Sequence, residues 1–346
     1  MTTPIVVQIV VDKPLPQGFD YLWDKVKLGC LPQIGHIVEI PFGRGKEVGI
    51  VIRVSAHSEY ELDKLKSIGK IAPLPLLDGG LLKLMSFASQ YYLHALGETI
   101  MPSIPKMWRK SEDWEKIPKK LESAAKKKAK EKNGEFEVGH ITVDQLNQEQ
   151  SNALESLIGE ANKQKNGFRA ILMQGQTGSG KTAVFLNWLA NILQDDVAQV
   201  LLLVPEINLT PQLERRVRAY FPNEILAVLH SGVTEKERGV AWYEAMTGKA
   251  RIILGTRLAT LTPIPNLRAI VVDEEHDPSY KQQEGTRYSA RDLAIWRAHD
   301  QKIPILLTSA TPSLETWMAA KAGRYEYLRL DQRAQGALLP KVHIVN

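Results

Sequence analysis

Apolar residues follow two different rhythms along the 346 residues of this chain. Near the N-terminus, the short runs IVVQIVV (5–11), HIVEI (36–40) and EVGIVIRV (47–54) are separated by PLPQG (14–18) and PFGRGK (41–46). Short β-rich runs with Pro/Gly turns at this spacing predict a small antiparallel barrel or sheet. LLKLMSFASQYYLHAL (81–96) changes to helical spacing and predicts an amphipathic helix packed on that sheet, broken by PSIPK (102–106). From about Leu146 strands and helices alternate. Candidate strands are RAILMQ (169–174), QVLLLV (199–204), ILAVL (225–229), RIIL (251–254), AIVV (269–272) and PILLT (304–308). Each is a short, nearly uninterrupted apolar run, as in strands buried on both faces of a parallel sheet. Helical patterns over 183–193 and 211–221 lie between them. The expectation is a doubly wound α/β lobe, with ligands beyond the carboxyl ends of its strands, preceded by a smaller β-rich domain.

Composition narrows this picture. No apolar run approaches the ~18 residues a membrane-spanning helix needs, and no basic region precedes the first apolar run, so the cytoplasm is the expected compartment. The single cysteine, Cys30, leaves no partner for an internal disulfide and no Cys-built zinc cage. The eight histidines show no metal-ligand spacing. The net charge of +5 is unevenly spread: residues 106–132 hold eleven Lys/Arg against five acids. That stretch suits either phosphate contacts or a solvated tether. We therefore place the domains at 1–105 and 140–346, with a Lys-rich linker over 106–139.

Two motifs carry chemistry. GQTGSGKT (175–182) follows a predicted strand and opens a predicted helix, the context a phosphate loop requires. Gly175, Gln176, Thr177, Gly178, Ser179 and Gly180 turn backbone N–H groups toward phosphate oxygens. Lys181 reaches the β- and γ-phosphates, and the Thr182 hydroxyl binds Mg²⁺. VVDEEH (271–276) ends an apolar strand with acids at the ligand edge. Asp273 is the expected holder of Mg²⁺, and Glu274 the expected base for the attacking water. Gln150 in LNQEQ (146–150) is a candidate reader of adenine through its amide. TSATPS (308–313), with Thr308, Ser309 and Thr311, is placed with His276 to link nucleotide to nucleic acid; a turn capping a helix explains it nearly as well. Between these boxes, Tyr280, Lys281, Arg287 and Tyr288 interleave aromatic and cationic groups, as a base-stacking, phosphate-holding loop would. Thr210, Thr256 and Arg257 follow strands at the same edge and suit backbone phosphate contacts.

Taken together, GQTGSGKT, LLLVPEINLTPQL, LHSG, IILGTR, VVDEEHDPSYKQQEGTRYSARDLA and TSATPSLET resemble the primosomal replication-restart helicases of superfamily 2. PLPQGFDYLW (14–23) and PFGRGKEVGIVI (41–52) resemble that family's domain for the free 3′ end of a nascent leading strand. The resemblance implies a P-loop (RecA-like) motor lobe behind a small DNA-end-binding domain. It implies that Phe19, Asp20 and Tyr21 form or border the end pocket, with Asp20 accepting from a 3′ hydroxyl. It further implies an ATP- and Mg²⁺-dependent 3′→5′ DNA helicase that recognises stalled forks and helps reload the replicative helicase. Forked and single-stranded DNA, a single-stranded-DNA-binding protein and primosome proteins would be its partners. The family's winged-helix region is reduced or lost in the Lys-rich stretch. Its second motor lobe, arginine finger and Cys-rich zinc module are expected outside these 346 residues. Tested alone, the chain is then expected to bind nucleotide weakly, hydrolyse it poorly and not unwind. The alternatives are an idle fork-end-binding or assembly module, or another superfamily-2 DNA translocase.

Overall fold

Three strands visible in the N-terminal sequence pair with two that it conceals. The computed structural model describes residues 4–123, 145–163, 167–206 and 211–332. Strands β1 (Val6–Val11), β2 (Phe19–Leu22), β3 (Ile37–Phe42), β4 (Gly45–Ser55) and β5 (Lys70–Ile71) form an antiparallel sheet in the order β2-β1-β4-β3-β5. The segment before β5 swings back to β2: Leu22 donates to the Lys66 carbonyl and accepts from the Ile68 N–H. The sheet thereby curls toward a barrel around Val7, Ile9, Tyr21, Val38, Ile40 and Val51. β2 was not predicted, because it is four residues long and carries a charge in its middle.

The predicted helix 81–96 is two helices. α1 (Gly79–Tyr91) is started by Asp78, whose carboxylate accepts from the Leu81 N–H, and α2 (Leu96–Ile100) follows it. Between them Leu93 takes a left-handed φ of 52°, which no right-handed helix accommodates. α2 lies so close to β1 that a Cβ at Gly97 would fall 1.8 Å from the Val11 carbonyl oxygen, so only glycine fits there.

The linker expected over 106–139 is not a free tether at its start. Lys106–Arg109 and Trp114–Lys116 are 3₁₀ turns and residues 117–123 are helical; Trp108, Trp114, Ile117 and Leu121 are buried. Lysines that snorkel outward around these anchors explain why the composition read as solvated. Residues 124–139 lie outside the described residues.

The second unit holds seven parallel strands, β6 (Arg169–Gly175), β7 (Gln199–Leu203), β8 (Leu226–Leu229), β9 (Ile252–Gly255), β10 (Leu267–Val272), β11 (Pro304–Ser309) and β12 (Glu326–Leu330), in the order β12-β6-β11-β10-β7-β9-β8. All six predicted strands are present. β12 was missed because EYLRL is an edge strand with mostly exposed side chains. Along β7 and β10 the side chains alternate between two cores: Val200, Leu202, Ala269 and Val271 on one face, Leu201, Leu203, Ile270 and Val272 on the other. The second core is shared with the N-terminal domain, whose Leu81, Met85, Ile104 and Trp108 join it. Phe87 stacks on Trp296 at 4.9 Å across this junction. Among the described residues, no helix is long and apolar enough to cross a membrane.

Candidate functional site

The phosphate loop is built where a strand turns into a helix. β6 ends at Gly175, Gln176 to Gly178 form an exposed apex, and helix α3 (Lys181–Ile192) begins at once. Gly178 and Gly180 both sit at φ 83°, a backbone conformation that glycine enters without strain. Gly180 caps the helix with no side chain, which leaves the helix entry open to an anion. A Cβ at Gly175 would lie 2.5 Å from Ser179 Oγ, a buried hydroxyl with no hydrogen-bond partner. Lys181 Nζ donates to the Gly175 carbonyl at 2.8 Å and stands 3.6 Å from the Glu274 carboxylate.

Facing the loop, β10 ends at the acids. Asp273 accepts from the Thr308 hydroxyl, which is the end of neighbouring β11. Burial raises its pKa above the ordinary aspartate value; the Thr308 hydrogen bond opposes that shift. Glu274 is held left-handed at φ 44°. That strained turn separates its side chain from those of its neighbours: Asp273 meets Thr308, while Glu275 turns inward. His276 Nδ1 bonds Ser309 Oγ at 2.7 Å, and the same oxygen accepts from the Thr311 N–H. Thr308 thus pairs with Asp273, while His276, Ser309 and Thr311 form a separate hydrogen-bonded set whose imidazole stands 3.7 Å from Glu274. Ser313 also caps helix α4 (Leu314–Lys321), as the capping explanation of TSATPS requires.

The residues present fit a Mg²⁺–nucleotide. Mg²⁺ typically takes one or two carboxylates plus phosphate oxygens and water, so a Thr182 hydroxyl and the Asp273 carboxylate are a sufficient protein set. Among the described residues no cluster of three or more His, Cys, Asp or Glu is placed for a metal, and the one cysteine, Cys30, is exposed.

Several expected roles do not survive the geometry. Tyr280 and Tyr288 are 2% and 6% exposed, so neither ring presents a face to a base. The Tyr280 hydroxyl donates instead to the Asp273 carbonyl at 2.6 Å. Gln150 is buried, with its amide already engaged: it accepts from the Asn147 N–H and donates to the Ser179 carbonyl at 2.8 Å. It braces the phosphate loop rather than offering its amide to adenine. Thr256 is buried beside β9. Arg257 is half-buried and donates to the Ser279 carbonyl at 3.0 Å, close to Glu206. Lys281 lies over the Tyr92 ring at 4.9 Å, and Arg287 is exposed. Thr210 lies outside the described residues.

This loop docks on the N-terminal domain. Ser289 N–H donates to the Tyr92 hydroxyl at 3.0 Å, and the Thr99 and Thr286 hydroxyls bond at 3.3 Å. Sequence reasoning also missed Glu275. Its buried carboxylate accepts from Ser313 N–H and Oγ, Thr316 Oγ1 and Arg291 Nη1, tying the acidic box to α4. An acid directly beside a catalytic one reads as part of the same box, and nothing in the sequence says which way it points.

At the barrel's far end a cavity of about 490 Å³ is bordered by Phe19, Asp20, Tyr21, Phe42, Tyr60 and Lys64, among others. Phe19 and Phe42 meet edge to face at 5.3 Å. Tyr21 is buried, its hydroxyl donating to the Pro41 carbonyl at 3.0 Å. The Asp20 carboxylate lines the cavity but is nearly covered, and its Oδ1 has no hydrogen-bond partner. Its side chain is 6% exposed, and it accepts from Ser58 Oγ at 2.7 Å. The β-strand alternation that sends Tyr21 into the barrel sends Asp20 to the opposite face, beside Arg53.

Comparison with known proteins now adds to this geometry. The sequence pattern of DEAD/DEAH box helicases matches residues 147–319, and that of a 3′DNA-binding domain matches residues 8–105. The chain is similar to Replication restart protein PriA of Haemophilus influenzae, 34% identical over 95% of this chain and 52% of that protein. It is 33% identical to Replication restart protein PriA of Rickettsia conorii over 90% and 44%, and 31% identical to that of Treponema pallidum over 98% and 49%. The chain spans about half the length of these relatives.

Proposed function

The chain belongs to the DEAD/DEAH box helicases, and from that premise we propose that it supplies the nucleotide-binding lobe and the DNA-end-binding domain of a replication-restart helicase. The observation that carries this reading is the convergence of Lys181, Asp273, Glu274 and the His276–Ser309 pair at one sheet edge. The loop that follows them rests on the domain matched as 3′DNA-binding.

Nucleotide phosphates seat on the loop 175–182, with Lys181 moving from Glu274 to them. Thr182 and Asp273 would hold Mg²⁺, which would neutralise phosphate charge when bound. Glu274 takes the proton of the attacking water. Proton transfer at Glu274 changes the charge beside His276, 3.7 Å away, and so alters the Ser309 and Thr311 hydrogen bonds. That set is the route by which hydrolysis reaches DNA. Phe19, Phe42, Lys64 and Lys66 receive a free 3′ end at the barrel pocket.

On this reading the full protein moves 3′→5′ on forked DNA in the bacterial cytoplasm and works with a single-stranded-DNA-binding protein and primosome proteins. The 346 residues by themselves bind nucleotide and turn it over slowly, because such motors gain about 10³–10⁵ in rate from an arginine finger supplied by another element. The test is fluorescence anisotropy at matched salt on two forks, one with a free leading-strand 3′ hydroxyl and one with that end closed by a hairpin. The expected result is tighter binding to the free end, weakened by Phe19→Ala. Equal affinity for both forks would remove the restart assignment and leave a nucleotide lobe on a basic protein.

A further inference from the structure

Arg297 lies at the junction between the barrel domain and the motor lobe, and half of its guanidinium is idle. It sits on the helix Ala290–Gln301 and is fully buried. Nη1 donates to the Thr260 carbonyl at 2.9 Å and to the Thr262 carbonyl at 3.0 Å, at the end of the 3₁₀ turn Arg257–Leu261. Nε and Nη2 are buried without a hydrogen-bond partner. Those two nitrogens form an edge that can bond both oxygens of a carboxylate at once. A buried cation with that edge unused is destabilising in this arrangement.

The acid that meets this helix comes from the other domain. Asp78 starts α1 with one oxygen, Oδ1, which accepts from the Leu81 N–H at 2.7 Å; its second oxygen, Oδ2, is buried and also unpartnered. A Cβ at Gly80 would lie 2.8 Å from Gln301 Nε2 and 3.3 Å from Asp78 Oδ1, so Asp78 packs against the end of the Arg297 helix. Gln301 follows Arg297 by one helical turn and shares its face. Burial pushes the Arg297 pKa down, and Asp78 is the charge that opposes that shift. The two groups thus occupy one buried region across the junction, yet neither idle nitrogen reaches an Asp78 oxygen.

Each group is tied to a different part of the molecule. The Leu77 N–H donates to the Gly35 carbonyl at 3.2 Å, and a Cβ at Gly35 would lie 2.4 Å from the Leu77 carbonyl oxygen, so Asp78 moves with the barrel. On the motor side, the turn that Arg297 holds begins at Arg257, which donates to the Ser279 carbonyl in the loop after the acidic box. We infer that Arg297 and Asp78 are the two halves of a latch: they pair when the barrel domain and the motor lobe close with DNA and nucleotide both bound, so that each ligand favours the other. This rests on the two-ligand reading proposed above. The pair gives closure its driving force because its interaction differs between the two states.

The experiment uses the 346-residue chain. Anisotropy at fixed salt measures affinity for the fork with a free leading-strand 3′ hydroxyl, with and without a saturating non-hydrolysable ATP analogue and Mg²⁺. Wild type should bind that fork roughly 5- to 150-fold more tightly with the analogue, the usual span of allosteric coupling, and the fork should tighten the analogue by the same factor. Asp78→Asn keeps an oxygen to cap α1 but removes the charge. It should bind each ligand alone as wild type does and show no coupling. Arg297→Lys keeps the charge without the planar edge and should also lose coupling; the double variant should lose no more than either single one. If Arg297→Lys fails to fold, Asp78→Asn decides alone. Coupling that survives in Asp78→Asn, or is absent from a wild type that binds both the free end and the analogue, overturns the latch and leaves the proposed function standing. A wild type indifferent to the end of the fork removes the restart reading, and the latch with it.

Discussion

Lys181 and Glu274 stand 3.6 Å apart, and the lysine ammonium also donates to the Gly175 carbonyl of its own loop. The candidate phosphate-binding cation is therefore paired with the candidate base, and on the proposed function a nucleotide must take it over. Glu274 is held at this spot by a left-handed backbone, φ 44°, that a side chain of its type adopts only at a cost.

Replacing Glu274 with glutamine keeps the shape and removes the charge. Nucleotide affinity should hold or rise a few-fold, because a triphosphate no longer meets a carboxylate beside the lysine. Turnover in the active protein should fall by about 10²–10⁴, the usual worth of a general base. Fluorescent-nucleotide titration and phosphate release separate the two. Affinity falling in step with turnover would mean that Glu274 holds the loop rather than the water.

The acidic box should respond to pH through Asp273. Burial raises its pKa above the ordinary aspartate range, so the native state penalises the charged form. For an acid raised in the fold, that penalty is fully present above the folded pKa and fades as pH falls through it. Asp273→Asn should therefore raise the melting temperature at pH 7–8 by about 2–4 °C, the scale of a ~1 kcal/mol change in a domain of this size. The gain should shrink on acidification. Mg²⁺-dependent nucleotide binding should be lost in the variant, and in wild type should weaken at a higher pH than a solvent-exposed aspartate would dictate. A melting gain independent of pH would assign the effect to packing instead.

The motor strands and the two nucleotide boxes were legible because physics leaves them little freedom. A strand buried on both faces must be apolar throughout, and a phosphate loop must place glycines and a lysine at fixed spacing. The misreadings share a different cause. Tyr280 and Tyr288 carry the right side chains for stacking, but a sequence does not say which side of a loop faces the core. Gln150 has an amide equally suited to adenine or to the Ser179 carbonyl, and only the fold chooses between them. β12 and β2 are short and partly charged, so period-2 alternation fails in both. In the Lys-rich stretch, composition hid Trp108, Trp114, Ile117 and Leu121, four buried anchors among solvated lysines.

Glu275 predicts a different phenotype from its neighbour. Its carboxylate is the acceptor for Ser313, Thr316 and Arg291 in a buried network. Glu275→Ala should cost about 3–5 kcal/mol, since it leaves several buried donors without their acceptor and Arg291 with Asp292 as its remaining carboxylate partner among the described residues. Glu275→Gln retains one acceptor oxygen and should cost less. Urea denaturation measures both; an alanine variant within ~0.5 kcal/mol of wild type would show that the network contributes no stability.

Trp108 should decide whether the barrel and the motor lobe behave as one unit. It is fully buried in the core that both share, and its carbonyl accepts from Trp114 Nε1 at 3.1 Å. On either side of it the segment grips a different domain: Ser111 bonds buried Glu39 of β3, while Met107 packs on Gly239 so closely that a Cβ there would lie 2.5 Å from its methyl. Trp108→Ala empties the middle of that strap, at roughly 3–5 kcal/mol for a buried tryptophan. The rest of the junction is Leu81, Met85 and Ile104 in the shared core, Phe87 on Trp296, and Tyr92 on the loop before Ala290. Hydrogen exchange should therefore show β1 and β11 amides opening together in wild type, and β1 opening at lower free energy than β11 in Trp108→Ala. Fork binding should weaken less than the barrel's coupling to nucleotide, because the pocket at the barrel's far end keeps all its residues. Equal loss of protection in β1 and β11 would place the mechanical link in the Phe87–Trp296 contact instead.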